Sequence, residues 1–124
     1  MEASLAYKTK QIIKKYEFSF KKNFGQNFLV DERVLDKIVS AADINENDLV
    51  IEVGPGIGTL TQAMAKKAGK VISVEIDKTL VPILGELLED YNNIEIINED
   101  ILKVDINEII ENHKGMNVKM AANL

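Results

Sequence analysis

A cluster of glycines between Val53 and Thr59 is the part of the sequence best suited to bind a ligand. Gly54, Gly56 and Gly58 lack a Cβ, so the backbone there can adopt positive φ and pass close to a bound molecule. A buried strand is predicted before the turn and a helix after it, so that the first N–H groups of the helix face the ligand. Three glycines also suit an ordinary tight turn, so the cluster alone is a weak indication of a nucleotide site.

Two carboxylates lie where they would complete a nucleoside site. Glu75 ends the second predicted strand about twenty residues after the turn, where a carboxylate can accept both hydroxyls of a ribose. Asp100 follows the third predicted strand, where it can accept a hydrogen bond from an adenine amino group. Each has a simpler explanation, since Glu75 can be solvated and Asp100 can cap a turn.

The spacing of the glycines distinguishes between cofactors. A dinucleotide turn has the pattern G-x-G-x-x-G and would need its last glycine at position 59, which is threonine, whereas the glycine is Gly58. Glu52 precedes the turn, where an anion is poorly placed beside a pyrophosphate but well placed near a cationic amino acid group. S-adenosylmethionine, a nucleoside with a sulfonium and an amino group, therefore fits better than NAD.

Alternating strands and helices position these residues. Short apolar segments predict four strands, over residues 49–53, 70–76, 94–98 and 116–122. Because helices separate the strands, right-handed crossovers and an α/β fold with a doubly wound parallel sheet are expected. The predicted strand order is third, second, first, fourth, with the ligand at the carboxyl ends of the strands.

Capping residues mark the predicted helices. The predicted N-caps are Asp31, Thr79 and Asp105. Glu108 completes a capping box with the last of these, and Pro82 suits a first helical turn, where amides have no helical partner. Gly69 is predicted to end the helix that follows the glycine turn.

The composition indicates a soluble globular protein of the cytoplasm. The chain has 124 residues, 46% of them hydrophobic, which suits one domain with a core. It has no cysteine, hence no disulfide or thiolate metal site, and no apolar run long enough to span a bilayer. Its one histidine, His113, is predicted to be solvated, and no metal-ligand cluster is present, so no metal is expected.

The charge is unevenly distributed and suggests two parts. The net charge is −5, yet residues 1–30 carry six lysines against two glutamates. We expect a basic N-terminal arm over 1–30 and the sheet domain over 31–124. Lys21 and Lys22 are candidate contacts to RNA phosphates, although a solvated tail explains the charge equally well. The arm also contains four phenylalanines, for which two roles are open. They can stack on bases or, in the favoured interpretation, pack the arm against its own domain.

Several segments together resemble the ribosomal RNA adenine dimethyltransferases. They are KKNFGQNFLVD, VIEVGPGIGTLT, SVEID, NEDILKVD and AANL. The similarity runs from about Thr9 to Leu124 and is strongest to the bacterial small-subunit branch, with the erythromycin-resistance methyltransferases as close relatives. It implies a Rossmann-like, S-adenosylmethionine-dependent methyltransferase fold in a truncated form, since further strands and a helical C-terminal domain are expected beyond Leu124.

The resemblance also implies functional roles. The implied cofactor-binding residues are Asn27, Leu29, Gly54, Gly56, Glu75, Asp100, Ile101 and Asn123. Asn123 would also be catalytic, because its side-chain carbonyl would hold the target amine together with the backbone carbonyl after Leu124. The implied activity is dimethylation of the exocyclic amine of adenines in small-subunit ribosomal RNA, with the immature small subunit as partner. This chain alone is expected to be inactive and to self-associate through the exposed edge of its fourth strand.

Three alternatives remain open at this point. Within the class, the substrate can be large-subunit ribosomal RNA, as in macrolide resistance. An NAD-dependent oxidoreductase is disfavoured by the position of Gly58. A non-catalytic RNA-binding or transcription-factor relative would share the fold without the reaction.

Overall fold

Strands and helices alternate along the part of the chain that the computed structural model describes, which is residues 32–122 together with two helical positions, Gln11 and Lys14. The elements are α1 (Glu32–Ala41), β1 (Asp48–Val53), α2 (Thr59–Ala65), β2 (Lys70–Glu75), α3 (Val81–Leu87), β3 (Ile94–Asn98), a 3-10 turn (Ile101–Lys103), α4 (Ile106–Glu111) and β4 (Asn117–Ala122). The predicted N-cap Asp31 lies outside the described residues.

The sheet has the predicted topology. Its four strands are parallel in the order β3-β2-β1-β4. The central strand β1 pairs with β2 from Leu49↔Lys70 to Val53↔Val74, and on its other side with β4. Because β1 is covered on both faces, its first five residues are all buried, which explains why its sequence is a nearly continuous apolar run.

The core lies on both faces of this sheet. On one face, α1 and α2 pack on Val50 and Val71, and α3 packs on the side chains of β3. On the opposite face, Leu49, Ile51 and Ile72 are buried beneath apolar side chains that include two from α4. Layers of helix on sheet are thus formed where the apolar faces of the helices pack on the apolar side chains of the strands.

The predicted role of Gly69 as a helix terminator is wrong. Helix α2 ends at Ala65, and the amides of Lys67 and Ala68 both donate to the carbonyl of Met64 in a tightening last turn. A Cβ on Gly69 would lie 2.3 Å from the backbone oxygen of Glu46, so glycine is needed there because two backbones approach closely.

The ends of α3 and of three strands also differ from the prediction. Thr79 is not the N-cap of α3: the residue at that position is Leu80, and the hydroxyl of Thr79 donates to Asp77 Oδ1 at 2.6 Å. The Thr79 hydroxyl therefore donates to the aspartate two residues upstream and does not accept an amide at the N-terminus of the helix. Strand β1 begins one residue earlier than predicted, β2 ends one residue earlier and β4 begins one residue later, whereas β3 matches the prediction.

Two other capping predictions are confirmed. Pro82 lies in the first turn of α3, and the Asp105 carboxylate accepts the Glu108 amide at 3.0 Å at the start of α4.

Candidate functional site

The glycine turn adopts the predicted conformation. Gly54, Gly56 and Gly58 have φ values of 70°, 61° and 81°, in the left-handed region that favours glycine. The Gly54 amide donates to the Val74 carbonyl at 3.0 Å, which ties the turn to β2. Among the residues that the structure describes, none has an atom within 4 Å of a Cβ placed on Gly54, so the described part of the fold leaves open space beside the backbone here. This is the geometry that a ligand passing close to the main chain requires.

Gly58 is required for another reason. A Cβ there would lie 3.2 Å from Leu88 Cδ2 and 3.3 Å from Leu84 Cδ2, on and just beyond α3. The third glycine of the turn therefore allows the start of α2 to approach the α3 segment, while the first leaves room for a ligand.

Glu75 lies at the carboxyl end of β2, as predicted, and is not solvated. Its side chain is 5% exposed, and Oε2 accepts the Asp77 amide at 3.0 Å. Asn98, its register partner on β3, donates from Nδ2 to the Glu75 carbonyl at 2.7 Å. The ends of the two strands are thus fastened together around the carboxylate.

Asp100 follows β3 and does cap a turn. Its Oδ1 accepts the Leu102 amide at 2.9 Å at the start of the 3-10 turn, in which Ile101 is the first, half-buried residue. Since β1, β2 and β3 are neighbours in a parallel sheet, Gly54, Glu75 and Asp100 come together at one edge, the carboxyl edge, of that sheet.

Glu52 is fully buried two residues before the turn. Its side chain is 0% exposed, and the hydroxyls of Thr61 and Ser73 both donate to its Oε1, Ser73 at 2.8 Å. Burial raises the pKa of Glu52 above its ordinary value of 4.5, and the Glu75 carboxylate adds to this, while the two hydroxyls oppose it. The sequence identified the acid but not the low-dielectric setting that controls its charge.

Sequence reasoning missed Thr61, Ser73 and Asn98. The sequence did contain a signal, namely polar residues inside apolar strands. Ser73 interrupts the apolar strand β2, and a glutamate interrupts β1. A buried acid needs donors, and the polar residues of adjacent elements are the candidates. Five predicted site residues lie outside the described part of the chain: Lys21, Lys22, Asn27, Leu29 and Asn123.

His113 is not the solvated residue that the sequence predicted. Its ring is partly buried between α4 and β2, with Nδ1 2.7 Å from the Ile109 carbonyl and Nε2 3.2 Å from Lys70 Nζ. Since the lysine can only donate, Nδ1 carries the proton. Among residues 32–122, no three His, Asp or Glu side chains are arranged to hold a metal ion. No helix in that same range has the length and apolar character needed to cross a membrane.

The strand order, the glycine turn after β1 and the carboxylates after β2 and β3 together define a Rossmann-like methyltransferase fold. Comparison with known proteins narrows this class. The family described as "Ribosomal RNA adenine dimethylase" matches residues 17–124, and the chain belongs to that family.

Individual relatives agree with this assignment. The chain is 58% identical over 118 residues to the ribosomal RNA small subunit methyltransferase A of Alkaliphilus oremlandii, an alignment that covers 94% of this chain and 41% of that protein. It therefore spans about two fifths of the length of the curated relative.

Two solved structures share the fold at similar TM-scores. The 23S rRNA methyltransferase ErmE has a TM-score of 0.60 and 30% identity, over 79% of this chain and 48% of that one. A dimethyladenosine transferase from Plasmodium falciparum has a TM-score of 0.60 and 33% identity, over 79% and 34%.

Proposed function

We propose that this chain is the S-adenosylmethionine-binding part of an enzyme that dimethylates adenines of small-subunit ribosomal RNA. Family membership and a 58% identical relative named for the small ribosomal subunit support the reaction and the substrate. The structural observation that carries the proposal is the turn at Gly54, with open space beside it, fastened to the strand that ends in Glu75. The immature small subunit in the cytoplasm is the proposed setting.

The residues at the carboxyl edge fit each part of the cofactor. Glu75 offers a carboxylate to the ribose hydroxyls, and Asp100 has a second oxygen, Oδ2, for the adenine amino group once Oδ1 has capped the turn. Glu52 Oε2 is a buried acceptor without a partner among the described residues, which suits a cationic amino group. A dinucleotide would bring a negatively charged pyrophosphate to this acidic edge, where the like charges would repel it. The site therefore favours S-adenosylmethionine over NAD, in agreement with the family.

The proposed contacts extend beyond the described residues. The full set is Asn27, Leu29, Gly54, Gly56, Glu75, Asp100, Ile101 and Asn123. Ile101 would lie against the adenine ring, and the arm residues would cover the cofactor. We further propose that residues 1–30 act as a basic arm whose Lys21 and Lys22 contact RNA phosphates.

The reaction depends on placement more than on acid–base chemistry. When bound, S-adenosylmethionine supplies a methyl group attached to a sulfonium sulfur. After the methyl group is transferred, the rest of the cofactor is a neutral thioether and is therefore a good leaving group. An adenine amine is a weak nucleophile because its lone pair is delocalised into the ring. The side-chain carbonyl of Asn123 would accept one of its N–H groups and hold the nitrogen in line with the methyl group, and such alignment provides much of the rate.

Cofactor binding provides the first test. Glu75→Ala should weaken S-adenosylmethionine binding by about 1–3 kcal/mol in calorimetry, because two ribose hydroxyls lose a charged acceptor. Glu95→Ala makes the same change on β3, near the amino edge of the sheet, and should leave the affinity unchanged. NAD binding in preference to S-adenosylmethionine, or equal affinities for Glu75→Ala and the parent chain, would contradict the proposal.

The substrate requires a test with the full-length enzyme. Small and large ribosomal subunits lacking the modification are incubated with labelled S-adenosylmethionine, and labelled dimethyladenosine is expected in the small subunit. Label in the large subunit would instead support the activity named in the ErmE structure. If the protein binds small subunits but transfers no label, the enzymatic proposal is wrong and the non-catalytic RNA-binding alternative is supported.

A further inference from the structure

The buried carboxylate of Glu52 is held asymmetrically. Thr61 Oγ1 from α2 and Ser73 Oγ from β2 both donate to Oε1, whereas Oε2 has no hydrogen-bond partner among the residues that the structure describes. All three side chains are fully buried. A buried carboxylate oxygen without a hydrogen bond is unfavourable for the free energy of folding. The uneven distribution of donors, two on Oε1 and none on Oε2, therefore needs an explanation.

The sheet register shows why the two hydroxyls converge on the same oxygen. Ser73 is the register partner of Glu52 on β2, and Ala121 is its partner on β4. Register partners in a sheet project to the same face, so the serine lies beside the glutamate on one side. On the other side the alanine side chain is a methyl group that cannot donate a hydrogen bond. The position is thus polar toward β2 and α2 and lacks a side-chain donor toward β4.

The glycine turn begins two residues beyond Glu52. The backbone at Gly54 borders space that no other described residue fills, since none of them has an atom within 4 Å of a Cβ placed there. The acceptor without a partner and the space for a ligand therefore belong to the same strand end.

We infer that Thr61 and Ser73 are positioning residues that fix Oε1 of Glu52 and thereby present Oε2 to the cationic amino group of the cofactor. This inference rests on the proposed function, because it takes the ligand to be S-adenosylmethionine. The two residues touch neither the cofactor nor the reacting atoms, and they act only through the glutamate.

The charges around Glu52 are consistent with this role. Burial is the main effect that favours the neutral acid, and the like charge of Glu75 on β2 acts in the same direction. The hydroxyls of Thr61 and Ser73 favour the carboxylate and lower its pKa. The ammonium group of a bound cofactor would act in the same direction.

The test compares two ligands that differ in the amino acid moiety. S-adenosylmethionine carries the amino acid chain on a sulfonium, while 5′-methylthioadenosine retains the nucleoside as a neutral thioether and lacks the whole chain, amino group included. Thr61→Val and Ser73→Ala should weaken S-adenosylmethionine binding roughly tenfold or more, the loss expected for a displaced charge-assisted hydrogen bond. Their affinity for 5′-methylthioadenosine should stay within about twofold of the parent chain.

A conservative variant and a pH series separate positioning from folding. Thr61→Ser keeps the hydroxyl and should restore most of the affinity lost in Thr61→Val. For the parent chain, S-adenosylmethionine affinity should fall as acid protonates Glu52, and in Ser73→Ala this fall should begin at a higher pH. The affinity for 5′-methylthioadenosine should not follow that profile.

The outcomes are distinguishable. A parallel loss of both ligands in Ser73→Ala, or unchanged affinity in both variants, would overturn the positioning role while leaving the cofactor assignment intact. A parent chain that binds neither ligand would refute the proposed function, and the inference with it. If Thr61→Val does not fold, Ser73→Ala and Glu52→Gln, which should show the same ligand-selective loss, replace it.

Discussion

At the scale of single residues, Glu52 is unfavourable for stability, and the proposed contact with the cofactor would explain its presence. A carboxylate in the middle of a buried strand would be replaced by an apolar side chain if stability alone mattered, because burying a charge is unfavourable even with two hydrogen bonds. Functional sites are where such unfavourable groups are found. The raised pKa of Glu52 makes this conflict measurable.

Replacing Glu52 with glutamine should stabilise the chain at neutral pH. The folded pKa is raised above 4.5, so the stability linked to this group is present below pH 4.5 and is lost as pH rises through the folded value. Each pKa unit corresponds to about 1.4 kcal/mol. Thermal unfolding at pH 7 should show a higher midpoint for Glu52→Gln, with the difference shrinking toward pH 4. The exposed Glu46→Gln is the control, and an equal shift in both would refute the argument.

Asp48 has the opposite pH dependence. Its Oδ2 accepts from Lys119 Nζ at 2.8 Å and from the Asn45 amide at 2.9 Å, and these bonds lower its pKa below 3.8. The stability it contributes is present above pH 3.8 and is lost as pH falls through the folded value. Asp48→Asn should therefore unfold at a lower temperature than the parent at pH 7. At a pH below the folded pKa, the two unfolding temperatures should be similar. Asp36→Asn, on the exposed side of α1, should have little effect at either pH.

At the scale of elements, the same residue type serves different purposes. Within the described part of the chain, Gly54 borders open space, Gly69 lies against a neighbouring backbone, and Gly85 is in α3 with no atom near its Cβ position. Only the surroundings distinguish these cases, because all three are simply glycine in the sequence.

Two alanine substitutions exploit that difference. Gly69→Ala would place a Cβ 2.3 Å from a backbone oxygen that cannot move aside cheaply, and should destabilise the chain by about 1–3 kcal/mol. Gly85→Ala should instead stabilise it by about 0.5–1 kcal/mol, since alanine is the better helix former and meets nothing within 4 Å. Denaturant unfolding of both variants checks the pair, and the same sign of change in both would contradict the packing argument.

At the scale of the whole molecule, β4 is an outer strand of the described sheet. It pairs with β1 on one side, and on the other side no described strand pairs with it. Met120 on this strand is 59% exposed. Such an edge presents unpaired backbone groups and an apolar side chain to other copies.

We therefore predict that the 124-residue chain self-associates as its concentration rises. Met120→Lys should weaken this association because a charge at the edge opposes strand pairing. Leu102→Lys changes a side chain that is 89% exposed but lies in the 3-10 turn, and should leave the association unchanged. Sedimentation over a wide concentration range measures the effect, and a parent chain that remains monomeric throughout would exclude the edge as an interface.

Features that depend on local chemistry were predictable from the sequence. Apolar runs predicted the strands, because burial on the faces of a sheet requires apolar side chains. The alternation of strands with helices then predicted the strand order, because that pattern is typical of a doubly wound parallel sheet. Gly54 and Gly56 were recognisable because only glycine adopts positive φ without strain. The position of Glu75 at the carboxyl end of β2 was predictable because an acidic residue about twenty positions after the turn is typical of nucleotide-binding α/β folds.

Features that depend on contacts between elements became visible only in the tertiary structure. The burial of Glu52, and the hydroxyls of Thr61 and Ser73 that converge on one of its oxygens, follow from the β1–β2 register and the placement of α2. Gly69 and His113 were misinterpreted for the same reason, because the Glu46 carbonyl and the Lys70 amine are distant from them in sequence or belong to another element. A residue type states what a side chain can donate, accept or exclude, but its partner is determined by which elements the fold brings into contact.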